Sequence, residues 1–194
     1  MIKKVFVIVS ILLLTVSCSL FNKEGEEKIL DTDKILFEAM ESKREISLEN
    51  ATVLFKDINV TEEETTNIDK YVYVDFDNDE INELVALDKS TYGLYVILRY
   101  DQETEKIYGY KVNYRELEDI KVDGTFLGSG GALNAYYSKM RFKDGEYEIY
   151  DLAHFDSMEN EYELNGKRVS KEEVEAYIRV FNNKENVKWK EYKN

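Results

Sequence analysis

The chain has 194 residues, 40 Asp plus Glu against 26 Lys plus Arg, and a formal net charge of −14. Such an acidic surface repels polyphosphate backbones and anionic headgroups, which excludes nucleic acid and peripheral electrostatic membrane binding and leaves cationic partners, metal ions above all. One cysteine excludes an internal disulfide, and fifteen tyrosines, nine phenylalanines and one tryptophan favour sheet.

At the N-terminus Lys3 and Lys4 precede an apolar run from Val5 to Val16, broken only by Ser10 and Thr15, and Ser17 stands before Cys18. A run of about 12 residues falls short of the ~20 that a membrane-spanning helix needs, so it reads as a signal peptide. The segment resembles a bacterial lipoprotein signal, with Thr15 where the lipobox usually carries an aliphatic residue. The resemblance implies that Cys18 carries lipid of the palmitate type, begins the mature chain and anchors it to the extracytoplasmic face of the cell membrane. Residues 1–17 are then the signal peptide, 18–28 the lipidated cysteine and tether, and 29–194 one α+β domain.

The first predicted element after the tether is a helix from Asp31 to Ser42, with Asp31 or Asp33 as N-cap and an apolar face of Ile35, Leu36, Ala39 and Met40. Residues 46–58 fit either a strand or irregular structure, and the acidic stretch 61–67 reads as a solvated loop. Period-two patterning then predicts strands at 71–76, 83–88, 94–100, 106–112, 136–142 and 146–153. Asn78-Asp79, Tyr92-Gly93, Asp123-Gly124, Asp144-Gly145 and Asn165-Gly166 fall in turns. Connections this short predict an antiparallel meander of about six strands. Ser170 and Glu173 form a capping box for a C-terminal helix packed by Val174, Tyr177, Ile178 and Phe181.

The sharpest chemistry lies between two of those strands, where Asp75, Asp77, Asp79 and Glu83 take loop positions 1, 3, 5 and 9. Calcium takes six to eight hard oxygens, and alternate carboxylates on a tight loop, with the Ile81 carbonyl at position 7, deliver them to one point. This spacing resembles the D-x-D-x-D-G-x-x-[DE]-L calcium loops of FG-GAP and VCBS-type surface proteins. Glu80 replaces their turn-forming glycine and Asn78 another frequent one, so the loop is expected to bind calcium weakly or to survive as an empty acidic turn.

Other motifs carry less. Gly128-Ser129-Gly130-Gly131 lacks the lysine and the strand-to-helix setting of a phosphate loop and reads as a flexible loop joining strands. His154, the only histidine, reads as a satisfied structural side chain, and Glu116, Glu118 and Asp119 as a solvated edge. Tyr92, Tyr95, Tyr100, Tyr108, Tyr110, Tyr114, Tyr136 and Tyr137 offer a platform for carbohydrate or peptide, although strand alternation sends about half of them into the core. Lys70-Tyr71 before the loop, Tyr114-Arg115 leading to the DGTF and GSGGA stretch, and NGK followed by VSKEE resemble uncharacterised lipoproteins of clostridia-like, low-GC Gram-positive bacteria. That resemblance implies a compartment and a calcium-like loop, and no activity. The expected function is a non-enzymatic binding or interaction module with a protein or carbohydrate ligand, no catalytic residue and no assigned ligand-binding residue. The alternatives are a carboxylate-dependent hydrolase of cell-wall or sugar material and a structural subunit of an envelope complex.

Overall fold

A computed structural model describes residues 31–59, 66–89, 93–131 and 133–193. Cys18, the apolar run before it and the whole 18–28 tether, together with Tyr92, lie outside them. Helix α1 (Thr32–Met40) begins directly after Asp31 and carries Asp33 in its first turn, where a carboxylate complements the helix dipole. Its four predicted apolar residues are all buried. The uncertain stretch that follows forms a hairpin of β1 (Glu45–Leu48) and β2 (Ala51–Leu54), turned at Glu49-Asn50 and followed by a short 3-10 segment, Phe55–Asp57.

Next come β3 (Ile68–Val74), β4 (Glu83–Asp88), β5 (Leu94–Asp101) and β6 (Lys106–Asn113), paired antiparallel in succession as the alternation predicts. A second run comprises β7 (Phe126–Gly131), β8 (Asn134–Lys143), β9 (Glu146–Asp156), β10 (Glu161–Leu164) and β11 (Lys167–Arg168). Helix α2 (Lys171–Asn182) and the two-residue strand β12 (Lys190–Glu191) follow.

The α+β class stands, but the single six-stranded meander does not. The described residues hold twelve strands in two sheets, one ordered β12-β3-β4-β5-β6-β1-β2 and the other β11-β10-β9-β8-β7. One pair is parallel, β1 with β6 through Ser47–Tyr108 and Leu48–Gly109. The short-loop argument governs only successive strands, and these two are far apart in sequence. The glycine-rich stretch is also not a loop: Gly128 to Gly131 belong to β7, and Gly128, Ser129 and Gly131 pair with β8 around an irregularity at Gly130.

Each face of the first sheet has its own partner, which is why β4 and β5 read as nearly continuous apolar runs. Leu84, Ala86, Val96 and Leu98 face α1, while Val85, Tyr95 and Ile97 face the second sheet and meet Phe126 and Met140. The second sheet packs Tyr137 and Ala153 against Phe181 of α2. A bulge at Leu152 makes this possible, because Tyr137 pairs with Ala153 but Ser138 pairs with Asp151. The extra residue lets Ile149 face the first sheet and Ala153 the helix. Among the described residues no helix is long and apolar enough to cross a membrane.

Candidate metal centre

The loop joining β3 to β4 hangs from the pair Val74–Glu83. Asp75 organises it by accepting N–H donors on both oxygens: Oδ1 from Asn78 at 2.7 Å and Asp79 at 3.2 Å, and Oδ2 from Glu80 at 3.1 Å. Asn78 and Glu80 sit at φ of +60° and +69°. The chain thus adopts left-handed geometry, which glycine takes most readily, at two positions that carry side chains. Asp79 Oδ1 accepts from the Ile81 N–H at 2.9 Å.

Of the four predicted carboxylate ligands, the fold gathers three. Oxygens of Asp75, Asp77 and Glu83 lie within 4.8 Å of one another, close enough to share one ion, while Asp79 stays exposed at the rim. Glu83 is fully buried and its Oε2 accepts from the Phe76 N–H at 3.1 Å. Burial pushes its carboxyl up to about 8, against the opposing pull of Phe76 N–H and Arg99. Burial likewise raises Asp77, with Arg99 opposing. Asp77 Oδ1 is withdrawn from water and has no hydrogen-bond partner, an arrangement that leaves a carboxylate oxygen open to a cation.

Arg99 is the functional residue that the loop spacing does not reveal. In β5 it shares the inter-sheet face of Tyr95 and Ile97, and one register step beyond the Leu84–Leu98 pair it stands opposite Glu83. Its Nη1 donates to Asp77 Oδ2 at 2.9 Å and Glu83 Oε1 at 2.8 Å, and its Nη2 to Asp79 Oδ2 at 2.8 Å. The guanidinium lies 4.8 Å from the ring centre of Phe142 on β8. The same strand sends Lys139 to Asn78 Oδ1 at 3.2 Å, so the second sheet closes over the loop. A signal for Arg99 does exist: it is the one charged residue interrupting the apolar run at 94–100.

The tyrosines separate as alternation requires. Tyr95, Tyr100, Tyr110 and Tyr137 are buried, Tyr108 and Tyr136 half-buried and Tyr114 exposed. A groove of about 620 Å³ opens where the β1–β2 turn, β6 and the Asp144-Gly145 turn meet, lined by Tyr108, Tyr110 and Tyr147 among others. Gly145, at φ +80°, leaves room for the Tyr108 ring, which a Cβ there would approach to 2.7 Å. His154 differs from expectation, since its Nε2 is buried without a partner and its ring stacks on Tyr136 at 4.5 Å. Glu116 and Asp119 are exposed and Glu118 half-buried, the solvated edge expected. Compared with known proteins, the chain matches no family model, no curated protein and no solved structure.

Proposed function

We propose that this chain is a lipoprotein of the extracytoplasmic membrane face, anchored through Cys18, that works as a non-enzymatic binding module with a weak divalent-cation site in the 75–83 loop. The observation that carries the binding reading is the tyrosine-lined groove of about 620 Å³. Rings with an apolar face and a hydroxyl edge, beside polar turn residues, suit a saccharide or a short peptide. A hydrolase reading draws less support. Acid/base pairs of glycosidases stand about 5 to 9.5 Å apart across a cleft, whereas these carboxylates crowd within 4.8 Å and three of the loop's acids are tied to Arg99.

Groove and loop are physically linked. Tyr110 packs on Tyr147 at 5.4 Å and on Phe142 at 5.3 Å, and Phe142 lies under Arg99. A cation that stiffens the loop therefore stiffens one wall of the groove. Screening the purified chain against cell-wall saccharides and peptides should find a ligand whose affinity falls at least tenfold in Tyr108→Ala and Tyr147→Ala. A ligand bound equally well by both variants removes the groove from the reading.

The cation is tested by melting in chelator, in millimolar calcium and in millimolar magnesium. Loops of the extracellular kind bind calcium with dissociation constants of roughly 10⁻⁴ to 10⁻³ M. At ten times that constant, linkage adds about 1.4 kcal/mol, a rise in Tm of roughly 3 to 6 °C for a domain of this size. Magnesium should do much less, because it demands stricter octahedral geometry. An equal calcium shift in Asp77→Ala would place the ion elsewhere.

A further inference from the structure

We propose that Arg99 is the built-in cation of the 75–83 loop, holding it in shape without metal and setting how weakly a divalent ion binds. The inference rests on the divalent-cation reading above and adds the residue that controls it. Asp77, Asp79 and Glu83, three of the four carboxylates a calcium ion would use, already bond to one guanidinium at 2.8 to 2.9 Å. The side chain is only 16% exposed, and it is held between the loop and the Phe142 ring. A planar fork fixed in this way presents two nitrogens to three carboxylates and sets its positive charge where a divalent ion would sit.

Geometry makes arginine and metal competitors. Calcium bonds oxygen at about 2.3 to 2.6 Å. Nη1 stands 2.9 Å from Asp77 Oδ2 and 2.8 Å from Glu83 Oε1, so an ion bridging those two oxygens from the same side would coincide with it. The ion must either displace the guanidinium or make do with what Arg99 leaves. What it leaves is Asp75, which makes no bond to Arg99, and Asp77 Oδ1, buried and without a donor. One positive charge facing the carboxylates of Asp75, Asp77 and Asp79 does not neutralise them. The loop keeps an attraction for a second cation but lacks a full set of free oxygens to hold it.

The test is calorimetric titration of the purified full chain with calcium chloride, in wild type, Arg99→Met and Arg99→Lys. Methionine keeps apolar contact with Phe142 and removes the charge, so its calcium dissociation constant should fall at least tenfold. In chelator the same variant should melt lower than wild type, and calcium should recover most of that loss. Lysine should stay within a few-fold of wild type in affinity. Should wild type bind calcium while Arg99→Met binds it equally or more weakly, Arg99 is not a competitor and this inference falls, with the cation site intact. Silence in both proteins sinks the cation site and the inference together. Binding by Arg99→Met alone supports the inference and withdraws the site from the natural chain. If Arg99→Met does not fold, wild type carries the test through the Arg99 side-chain N–H resonances, which should shift and lose protection as calcium is added. Resonances unmoved at calcium saturation would overturn the proposal.

Discussion

Glu80 occupies backbone that glycine would occupy without steric strain. An L-residue at φ +69° carries about 1 to 2 kcal/mol of strain, while glycine would cost part of that back in unfolded-chain entropy. Glu80→Gly should therefore raise stability in chelator by up to about 1 kcal/mol, and it should tighten calcium by relaxing the turn. A denaturant melt checks the first claim, and a loss of stability would mean that the Glu80 side chain contributes something its exposed position does not show. Glu83 gives a pH signature. Its folded pKa of about 8 exceeds the ordinary carboxylate value, so the folded state holds the proton more tightly than the unfolded chain. The stability from this group is fully present below the unfolded value near 4.5 and is lost as pH rises through 8. Unfolding free energy in chelator should fall across that window in wild type and fall less in Glu83→Gln.

At the scale of the element, the clearest test is α2. The Ser170 Oγ accepts from the Glu173 N–H at 3.3 Å and the Glu173 carboxylate accepts from the Ser170 N–H at 2.9 Å, the capping box that the sequence predicts. Ser170→Ala should cost about 1 kcal/mol and Phe181→Ala, at 1% exposure, about 3 to 5. Thermal or denaturant melts of both variants check this, and a Phe181→Ala loss under about 1 kcal/mol would contradict the burial. Both helices and strands β3 to β6, β8 and β9 were legible because each carries an apolar period long enough to outweigh local noise. The strands that escaped notice are short or glycine-rich. The four-residue β10 and the two-residue β11 and β12 hold only one or two alternations, and β7 contains three glycines. Their pairing comes from neighbours far away in the chain, which spacing within one segment does not encode. The loop carboxylates were legible for the opposite reason, since one short stretch holds them all, whereas Arg99 joins them only through the register of β4 against β5.

For the whole molecule, the lipid proposed at Cys18 would decide location. Cys18→Ser should move the protein from the membrane fraction to the soluble one or leave it unprocessed, because stable anchoring takes two acyl chains where one is marginal. Identical partitioning, with no lipid mass on the N-terminal peptide, would refute the anchor. Stability, in turn, depends on a stretch remote from that end. β12 covers the outer edge of β3, Trp189 stacks on Tyr95 at 5.9 Å and Tyr192 meets Tyr71 edge-on at 6.4 Å. Val187 and Trp189 belong to the layer between the sheets, and Tyr192 to the layer beneath α1. Residues 187–192 are synthesised after every other described element, yet they complete both layers. A chain threaded through a translocation channel in sequence order thus keeps both layers open until this stretch emerges, so the fold closes in whichever compartment receives residue 192.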